Sequence, residues 1–188
     1  MRIIGGNFKG KKLFEAFDKK TRPLKDLVKE SIFNILEYSQ KEKINLKNSS
    51  ILDLFSGTGS FGLECVSRGA SKVYFFENYN ESIEIIKKNS KKLRCEKNIK
   101  IFNISAYNLI KVKELKSIKF DLIFLDPPYK EKDIKEILEE IYKINILKEN
   151  GIIVLHRHKK NQENFGKNFI VKRTTNYGIS KIIFGKFI

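Results

Sequence analysis

The stretch "LDLFSGTGSFG", residues 52 to 62, is the clearest indication of the fold class. An apolar run, a glycine-rich turn and the start of a helix-like segment follow one another, which places backbone N–H groups where a ligand can approach closely. The glycines match the spacing of dinucleotide-binding turns, and Glu77 stands 20 residues after Gly57, at the end of the next strand-like run. A carboxylate at that position can bind both hydroxyls of a ribose, so the spacing predicts a nucleoside-containing ligand.

Asp53 distinguishes between two ligands that fit this arrangement, NAD and S-adenosylmethionine (SAM). It lies inside the strand-like run, four residues before Gly57. A carboxylate there attracts a ligand that carries an ammonium and a sulfonium group and repels a pyrophosphate, which favours SAM. Asp53 can equally brace the glycine turn by accepting backbone N–H bonds, and the sequence leaves both roles open.

Short apolar runs alternate with helix-like segments along the middle of the chain. The strand-like runs are rich in β-branched and aromatic residues and cover 49–57, 71–77, 98–103, 119–126 and 150–156. The helix-like segments between them cover Ser60 to Arg68, Glu81 to Leu93, Ala106 to Lys111 and Lys132 to Tyr142. Buried strands that alternate with helices predict an α/β fold, a mainly parallel sheet with helices on both faces.

Both ends of the chain depart from this alternation. The tail has two strand-like runs around "NYG" at 176–178, which predicts an antiparallel hairpin at the sheet edge and seven strands in all. Residues 1–24 predict a small basic hairpin extension with glycine turns, ahead of a main domain over residues 25–188. Pro23 opens an amphipathic helix, and we expect its core-facing residues to be Leu27, Ile32, Ile35 and Leu36.

Length and composition predict one globular domain. The chain has 188 residues, of which 41% are hydrophobic, enough for a core of its own. No segment has the roughly 18 consecutive apolar residues of a membrane span, and "MRIIGG" lacks the apolar region of a secretory leader, so we expect a cytoplasmic protein. Cys65 and Cys95 lie 30 residues apart without a CxxC or a nearby histidine, which favours two reduced thiols and no metal site.

Positive charge is concentrated at the two ends of the chain. The net charge is +16, of which residues 1–29 carry +6 and residues 156–188 carry +7. A lysine-rich solvated surface would give the same total. Charge gathered at both ends of a nearly balanced middle is better explained by a polyanion bound between them, so nucleic acid is the predicted partner.

A second motif, "FDLIFLDPPYK" at residues 120–130, ends a buried strand with an acid, two prolines and an aromatic ring. Proline has no N–H to donate, so the strand must stop there, and the carboxyl ends of parallel strands meet at one crevice. Asp126 and the Pro127 carbonyl can accept the two hydrogens of an exocyclic amine, and Tyr129 can stack on the base that carries it. The motif predicts activation of an amine for methylation, and the alternative is an ordinary strand-end turn with a buried tyrosine.

Four stretches together resemble the bacterial 16S ribosomal RNA (guanine-N2)-methyltransferases of the class I SAM-dependent superfamily. They are "RIIGGNFKGKKL", "TRPLKDLVKESIFNIL", "ILDLFSGTGSFGLECVSRGA" and "FLDPPY", which span Arg2 to about Lys130. The resemblance implies a Rossmann-like class I methyltransferase fold, SAM as the cofactor and a guanine N2 amine of small-subunit ribosomal RNA as the methyl acceptor. We expect a monomer that acts on naked RNA or on a partly assembled small subunit.

The resemblance also implies roles for individual residues. The cofactor site would comprise Thr21, Arg22, Asp53, Phe55, Gly57, Gly59, Glu77, Ser105 and Ala106. The target guanine would be held by Asp126, Pro127, Pro128 and Tyr129. The positive charge near the two ends of the chain, and not the resemblance, predicts the residues that contact RNA, which are Arg2, Lys9, Lys11, Lys12, Lys25, Arg157 and Arg173. The chain departs from the family pattern at Leu24, at Ser105, at "YGIS" (177–180) and at "LHRH" (155–158). The family usually has a Thr, an Asp or Asn, "YGDT" and a Glu in those places.

His156 and His158 are interpreted as surface cations beside Arg157. Methylation of guanine N2 needs no strong base, because the proton becomes acidic once the nitrogen is alkylated, and no Ser/His/Asp set is visible in the sequence. The resulting hypothesis is methyl transfer from SAM to a guanine N2 amine of 16S ribosomal RNA. The alternatives are an N6-adenine methyltransferase on DNA or RNA and a non-catalytic RNA-binding ribosome-assembly factor that retains affinity for SAM.

Overall fold

A seven-stranded sheet forms the centre of the computed structural model, which describes residues 1–16, 24–129 and 134–188. The strands are β1 Ser50–Leu54, β2 Lys72–Glu77, β3 Ile99–Asn103, β4 Phe120–Leu125, β5 Leu147–His158, β6 Phe169–Tyr177 and β7 Ser180–Phe187. Their spatial order is β3-β2-β1-β4-β5-β7-β6. The first five strands are parallel, and β7 runs antiparallel between β5 and β6. The predicted sheet and its C-terminal hairpin are confirmed.

Helices cover both faces of the sheet, as the alternation of patterns predicts. They are α1 Asp26–Tyr38, α2 Ser60–Ser67, α3 Asn80–Leu93 and α4 Ile134–Ile144. The first three share one apolar cluster on one face, and α4 packs on the other face with two short 3-10 segments, Ala106–Lys111 and Lys113–Ser117. Strands covered on both faces are apolar throughout, which explains the unbroken apolar runs. Within the described part of the chain, none of the helices has the length and apolar character needed to cross a membrane.

One residue of the predicted core lies outside it. The prediction that Leu27 faces the core is wrong, because its side chain is 68% exposed, whereas Val28 and Ile32 are buried. Successive residues of a helix are rotated by about 100°, so a buried row that runs through positions 28 and 32 leaves Leu27 on the solvent side. Ile35 and Leu36 are buried as predicted.

Most elements differ from the sequence prediction by a few residues at their ends, and two differences bear on the site. The segment 106–111 is 3-10 rather than α-helical, and Asn108 inside it takes non-helical backbone angles (φ −112°, ψ 18°). Strand β5 begins at Leu147 and continues through His158, past the predicted range of 150–156. Its C-terminal extension matters for the site, because β7 pairs with β5 through His158 and covers the end of the strand.

The N-terminal hairpin is confirmed, and it packs against α2. Arg2 and Lys12 form an antiparallel bridge, and the chain reverses through a 3-10 turn at Gly6–Phe8. Gly6 in this turn has a φ of +73°, and a Cβ there would lie 2.0 Å from the Ser67 carbonyl oxygen, so only glycine fits. The N–H of Phe8 donates to Ser67 Oγ at 2.9 Å. The turn therefore lies at the C-terminal end of α2.

A buried carboxylate ties this hairpin to the first two helices. Glu64 of α2 accepts the backbone N–H groups of Ile4 at 2.8 Å and of Gly5 at 2.7 Å. Lys29 Nζ (3.4 Å) and Arg68 Nε (3.0 Å) approach the same carboxylate. Lys29 is fully buried, and burial lowers its pKa against the raising effect of the Glu64 charge. Removing one partner of such a buried ion pair lowers the free energy of unfolding by about 3 to 5 kcal/mol. The network therefore fixes the hairpin against the two helices.

Candidate active site

A cavity of about 560 Å³ lies beyond the carboxyl ends of β1, β2, β3 and β4. Its volume is in the range that holds cofactors and other small molecules. The predicted site residues that line it are Asp53, Phe55, Gly57, Glu77, Ser105, Ala106, Asp126, Pro127, Pro128 and Tyr129. Gly59 lies between two lining residues, Thr58 and Ser60, at the N-cap of α2. Thr21 and Arg22, also predicted to bind the cofactor, fall outside the described residues.

Glycines shape the turn between β1 and α2. Gly57 and Gly59 have positive φ values of 52° and 76°, which glycine adopts without strain. A Cβ at Gly62 would lie 2.3 Å from a ring carbon of Phe75, so glycine permits close packing of α2 on β2. A Cβ at Gly57 would meet no atom of the described residues within 4 Å. The backbone of the turn therefore opens directly on the cavity.

Glu77, the last residue of β2, holds the two loops on either side of the cavity floor. Its Oε2 accepts the Gly57 N–H at 2.7 Å, and its Oε1 accepts the N–H groups of Asn78 and Tyr79, both at 2.9 Å. A carboxylate offers about four lone-pair positions, and these bonds use three of them. Glu77 thus orders the glycine turn and the start of α3 while it lines the cavity.

Asp53 is buried in the cavity wall and uses one of its two oxygens to hold the turn. Its Oδ2 accepts the Gly62 N–H at 3.0 Å, and its Oδ1 has no hydrogen-bond partner among the described residues. Burial raises the pKa of Asp53 well above its usual value against the effect of the Gly62 bond, and the charges of Asp126 and Glu77 raise it further. The bond to Gly62 shows the bracing role that the sequence allows. A buried carboxylate oxygen of this kind also fits a cationic ligand, which would relieve the cost of burial.

The wall beside the glycine turn is aromatic. The rings of Phe55 and Tyr107 meet edge to face, with centroids 5.6 Å apart, and Phe76 and Ile104 continue the apolar surface. Phe55 has a φ of +61°, a conformation that is rare for non-glycine residues and is concentrated at functional sites. Ser105 Oγ accepts the N–H of Tyr107 at 3.4 Å. A flat apolar wall next to polar backbone groups suits a purine ring.

Asp126, the first residue after β4, is held by His156 of β5, which contacts Ser180 of β7 in turn. His156 Nδ1 lies 2.8 Å from Asp126 Oδ1, and His156 Nε2 lies 2.9 Å from Ser180 Oγ. His156 is only 2% exposed, so the interpretation of this residue as a surface cation is wrong. The reason is the pairing of β7 with the end of β5, which places His156 opposite Ile182 and covers it. The structure therefore contains a Ser/His/Asp set that the sequence does not reveal.

Arg157 supports the next residues of the motif from inside the protein. It is fully buried, its Nε donates to Glu163 Oε1 at 2.6 Å, and its Nη1 donates to the Pro128 carbonyl at 3.0 Å. The prediction that Arg157 contacts RNA is wrong, because its guanidinium faces this carbonyl and not the surface. Asn161 Nδ2 donates to the Tyr129 carbonyl at 2.9 Å. These bonds fix the backbone of the segment 126–129, called the D-P-P-Y segment below.

The ring of Tyr129 packs against two histidines. It meets His156 and His158 edge to face, with centroids 5.8 Å and 5.0 Å away. All three residues of the "HRH" sequence at 156–158 thus contact the D-P-P-Y segment. One signal in the sequence points to this contact: "LHRH" ends a strand of the same parallel sheet, so it must reach the same edge as the D-P-P-Y segment.

The other residues predicted to bind RNA are exposed. They are Arg2, Lys9, Lys11, Lys12, Lys25 and Arg173. Arg2 pairs with Asp26 at 3.4 Å, and Arg173 pairs with Glu42 at 3.4 Å. Lys11 Nζ lies 5.1 Å from the centroid of the Phe8 ring. Their exposure is compatible with contacts to phosphate, and their role in RNA binding stays a prediction.

The sheet order, the glycine turn after β1, the acid that ends β2 and the D-P-P-Y segment after β4 define a class I SAM-dependent methyltransferase. The solved structure of the Escherichia coli protein yhhF has the same fold, with a TM-score of 0.82 and 23% identity over 100% of this chain and 97% of that one. SMU.776, solved in complex with SAH, has a TM-score of 0.64 and 17% identity, and the match covers 84% of this chain and 48% of that one.

Within this class, the chain belongs to the family described as "Conserved hypothetical protein 95", whose model matches residues 1–186. YlbH of Bacillus subtilis is 33% identical over 184 residues, which cover 97% of this chain and 96% of that protein. Ribosomal RNA small subunit methyltransferase D of Haemophilus influenzae is 33% identical over 161 residues, which cover 85% of this chain and 79% of that protein. The family resemblance seen in the sequence is confirmed.

Proposed function

We propose that this protein transfers the methyl group of SAM to the N2 amine of a guanine in small-subunit ribosomal RNA. The observation that carries the proposal is the position of Asp126, whose carboxylate lines the same cavity as Asp53 and Glu77 and is held by His156. The similarity to ribosomal RNA small subunit methyltransferase D supports ribosomal RNA as the substrate. The D-P-P-Y segment supports an amine as the methyl acceptor.

The residues around the glycine turn suit SAM. When bound, SAM supplies a methyl group that its sulfonium makes electrophilic. Asp53 gives the wall a buried carboxylate oxygen that attracts the ammonium or sulfonium charge. Glu77 offers its carboxylate to the ribose hydroxyls, and the surface formed by Phe55, Ser105 and Ala106 suits the adenine. A pyrophosphate would be repelled by the three carboxylates that line the cavity, which argues against a dinucleotide.

Asp126 prepares the amine that receives the methyl group. The lone pair of an exocyclic amine is delocalised into the ring, so the planar amine is a poor nucleophile. When Asp126 and the Pro127 carbonyl accept its two hydrogens, the nitrogen becomes pyramidal and its lone pair points out of the ring plane. As the new N–C bond forms, the bond between the methyl carbon and the sulfonium sulfur breaks, and its electron pair stays on the sulfur. The nitrogen becomes cationic, and one N–H proton then leaves to the Asp126 carboxylate or to water.

Capture of the base requires a guanine whose amine is not engaged in pairing. Such a base is either unpaired in the RNA or flipped into the cavity. Tyr129 offers a ring for stacking, a contact worth about 1 to 3 kcal/mol per base. Because His156 and His158 pack against that ring, its orientation is fixed before the base arrives.

Nucleoside mass spectrometry of ribosomal RNA from a deletion strain tests the proposal. We expect the loss of one N2-methylguanosine from small-subunit RNA, restored by the wild-type gene and not by Asp126→Ala. Loss of N6-methyladenosine would indicate an adenine methyltransferase instead. An unchanged set of modified nucleosides would indicate a non-catalytic RNA-binding protein.

A further inference from the structure

Three polar side chains from three parts of the sheet form one buried chain of contacts. Asp126 follows β4, His156 lies in β5 and Ser180 begins β7, with separations of 2.8 Å and 2.9 Å. The connectivity is that of a hydrolase Ser-His-Asp triad. In a hydrolase the serine faces the substrate, but here Ser180 is 5% exposed inside the sheet and Asp126 is the member that lines the cavity. Ser180 and His156 therefore hold the Asp126 carboxylate in place, whereas in a hydrolase the Asp and His activate the serine.

The donors and acceptors of the three side chains are consistent with a role in holding Asp126. An ionised carboxylate only accepts, so Nδ1 of His156 must carry the proton that faces Asp126. Nε2 then either accepts the Ser180 hydroxyl proton or, when protonated, donates to the Ser180 oxygen, and a serine hydroxyl can rotate to serve both states. Ser180 thus fixes the imidazole ring, and the ring fixes the carboxylate.

The Asp126 carboxylate needs a support because other carboxylates lie around the same cavity. Asp53 and Glu77 line the same cavity, and the Asp126 charge adds to the effect of burial, which is the main cause of the raised pKa of Asp53. Like charges in one cavity repel, so an unsupported Asp126 would rotate toward solvent. The bond from His156 opposes this rotation.

We propose that His156, oriented by Ser180, is a positioning residue for methyl transfer. It fixes the rotation of the Asp126 carboxylate so that the acceptor amine meets it in one geometry. The inference rests on the proposed function, since it assigns to Asp126 the task of holding that amine. A misplacement of about 1 Å in such a site lowers the rate about 100-fold, which is enough for a supporting residue to matter.

Single-turnover methylation of small-subunit ribosomal RNA at saturating SAM tests the role of His156. We expect His156→Ala to lower the rate about 10- to 100-fold while the Kd for SAM stays within about twofold. His156→Asn should recover most of that loss, because its amide N–H can take the place of Nδ1–H. Ser180→Ala should lower the rate by a smaller factor, about 3- to 10-fold, because the ring keeps its bond to Asp126.

Ser49→Ala is the matched control, because Ser49 is a buried serine whose hydroxyl donates to the Leu46 carbonyl at 2.6 Å, at the opposite end of β1 from the cavity. It should leave the rate unchanged. Equal losses in His156→Ala and His156→Asn, or a Ser180→Ala rate equal to that of Ser49→Ala, would overturn the inference. If His156→Ala does not fold, the other two variants decide the matter. Failure of the proposed function is a separate result, since the wild type would then place no methyl group on guanine N2.

Discussion

His156 Nδ1 lies 2.8 Å from Asp126 Oδ1, so the residue that ends β4 is held by a residue of the neighbouring strand β5. The same strand end holds the Pro128 carbonyl through Arg157 and the Tyr129 ring through His158. The end of β5, about 30 residues further along the chain, thus fixes the geometry of the D-P-P-Y segment.

Asp126→Ala is expected to lower the single-turnover methylation rate by at least about 10²-fold, the scale of losing one well-placed polar group in a transition state. Asp126→Asn should lower it less, because the amide oxygen still accepts a hydrogen from the amine. SAM binding, measured by calorimetry, should persist in both variants. Near-normal turnover of a folded, SAM-bound Asp126→Ala protein would reduce the segment to a strand-end turn.

Tyr129 is expected to affect capture of the base rather than the chemical step. Tyr129→Ala should raise the KM for RNA by the equivalent of about 1 to 3 kcal/mol, the value of one base–aromatic stack. Tyr129→Phe keeps the ring and should be nearly silent. The split between KM and kcat is the measurement, and a loss confined to kcat would contradict the stacking role.

Asp53→Asn is expected to stabilise the fold and to weaken SAM binding. Burial raises the pKa of Asp53, so the folded protein holds this proton more tightly than the unfolded chain does. The contribution of this proton to the free energy of unfolding is fully present below the usual pKa of 3.8. It is lost as the pH rises through the raised pKa of Asp53 in the folded protein. Asn has no charge to bury, so we expect the free energy of unfolding of the variant to exceed that of the wild type at pH 8.

Urea unfolding at pH 5 and pH 8 checks this change, and calorimetry checks SAM binding. The difference in unfolding free energy between Asp53→Asn and wild type should be larger at pH 8 than at pH 5. An unchanged affinity for SAM would limit Asp53 to bracing the turn at Gly62. A lower stability of the variant at pH 8 would show that the raised pKa does not govern this site.

Glu77→Ala is expected to weaken the binding of SAM and of its demethylated product. The change removes the predicted ribose acceptor and also the acceptor of three backbone N–H groups that order the loops. A loss of about 10- to 100-fold in affinity follows from removing one or two hydrogen bonds to a charged group. Glu84→Ala, which removes an exposed acid from α3, is the control. Detectable binding of NADH by the wild type would contradict the choice of cofactor.

Replacing Lys9, Lys11 and Lys12 by Ala should weaken RNA binding and flatten its salt dependence. The log–log slope should change by about 0.7 to 0.9 for each phosphate that the variant no longer neutralises. The hairpin turn lies at the end of α2 that is far from the glycine turn, about 12 Å along an eight-residue helix, so RNA that contacts both the hairpin and the cavity must span about that distance. SAM affinity should not change.

The control for this triple variant removes the same charge from the other face of the sheet. Lys111, Lys113 and Lys116 are exposed beside the two 3-10 segments that pack with α4. Their replacement by Ala should leave the salt slope as in the wild type. Equal slopes in the two triple variants would show that the basic hairpin faces away from the RNA.

The sheet and the cavity could be predicted because each depends on a local pattern. Apolar runs give the strands, the glycine spacing gives the turn at Gly57, and the prolines give the end of β4 before Asp126. Parallel strands then bring these pieces to one edge without further information. The same reasoning places Glu77 at the cavity.

The supports of the site could not be predicted in the same way. His156 and Arg157 are polar residues in a basic tail, and composition alone assigns such residues to the surface. Their burial depends on β7 pairing with the end of β5 and on Glu163 meeting Arg157, which are contacts between distant parts of the chain. The prediction for Leu27 is wrong for a related reason, because the elements that α1 packs against determine which face of the helix is buried.

Methylation of small-subunit ribosomal RNA from a strain that lacks this protein, assayed both as purified RNA and within small-subunit particles, is the decisive test of methyl transfer to guanine N2. The RNA is incubated with the protein and isotope-labelled SAM, digested to nucleosides and analysed by mass spectrometry, with Asp126→Ala in parallel. We predict that the label appears in N2-methylguanosine with the wild-type protein and is at least about 10²-fold slower to appear with the variant. Label in N6-methyladenosine, or no label in either form of the RNA although each binds the protein, would contradict the account.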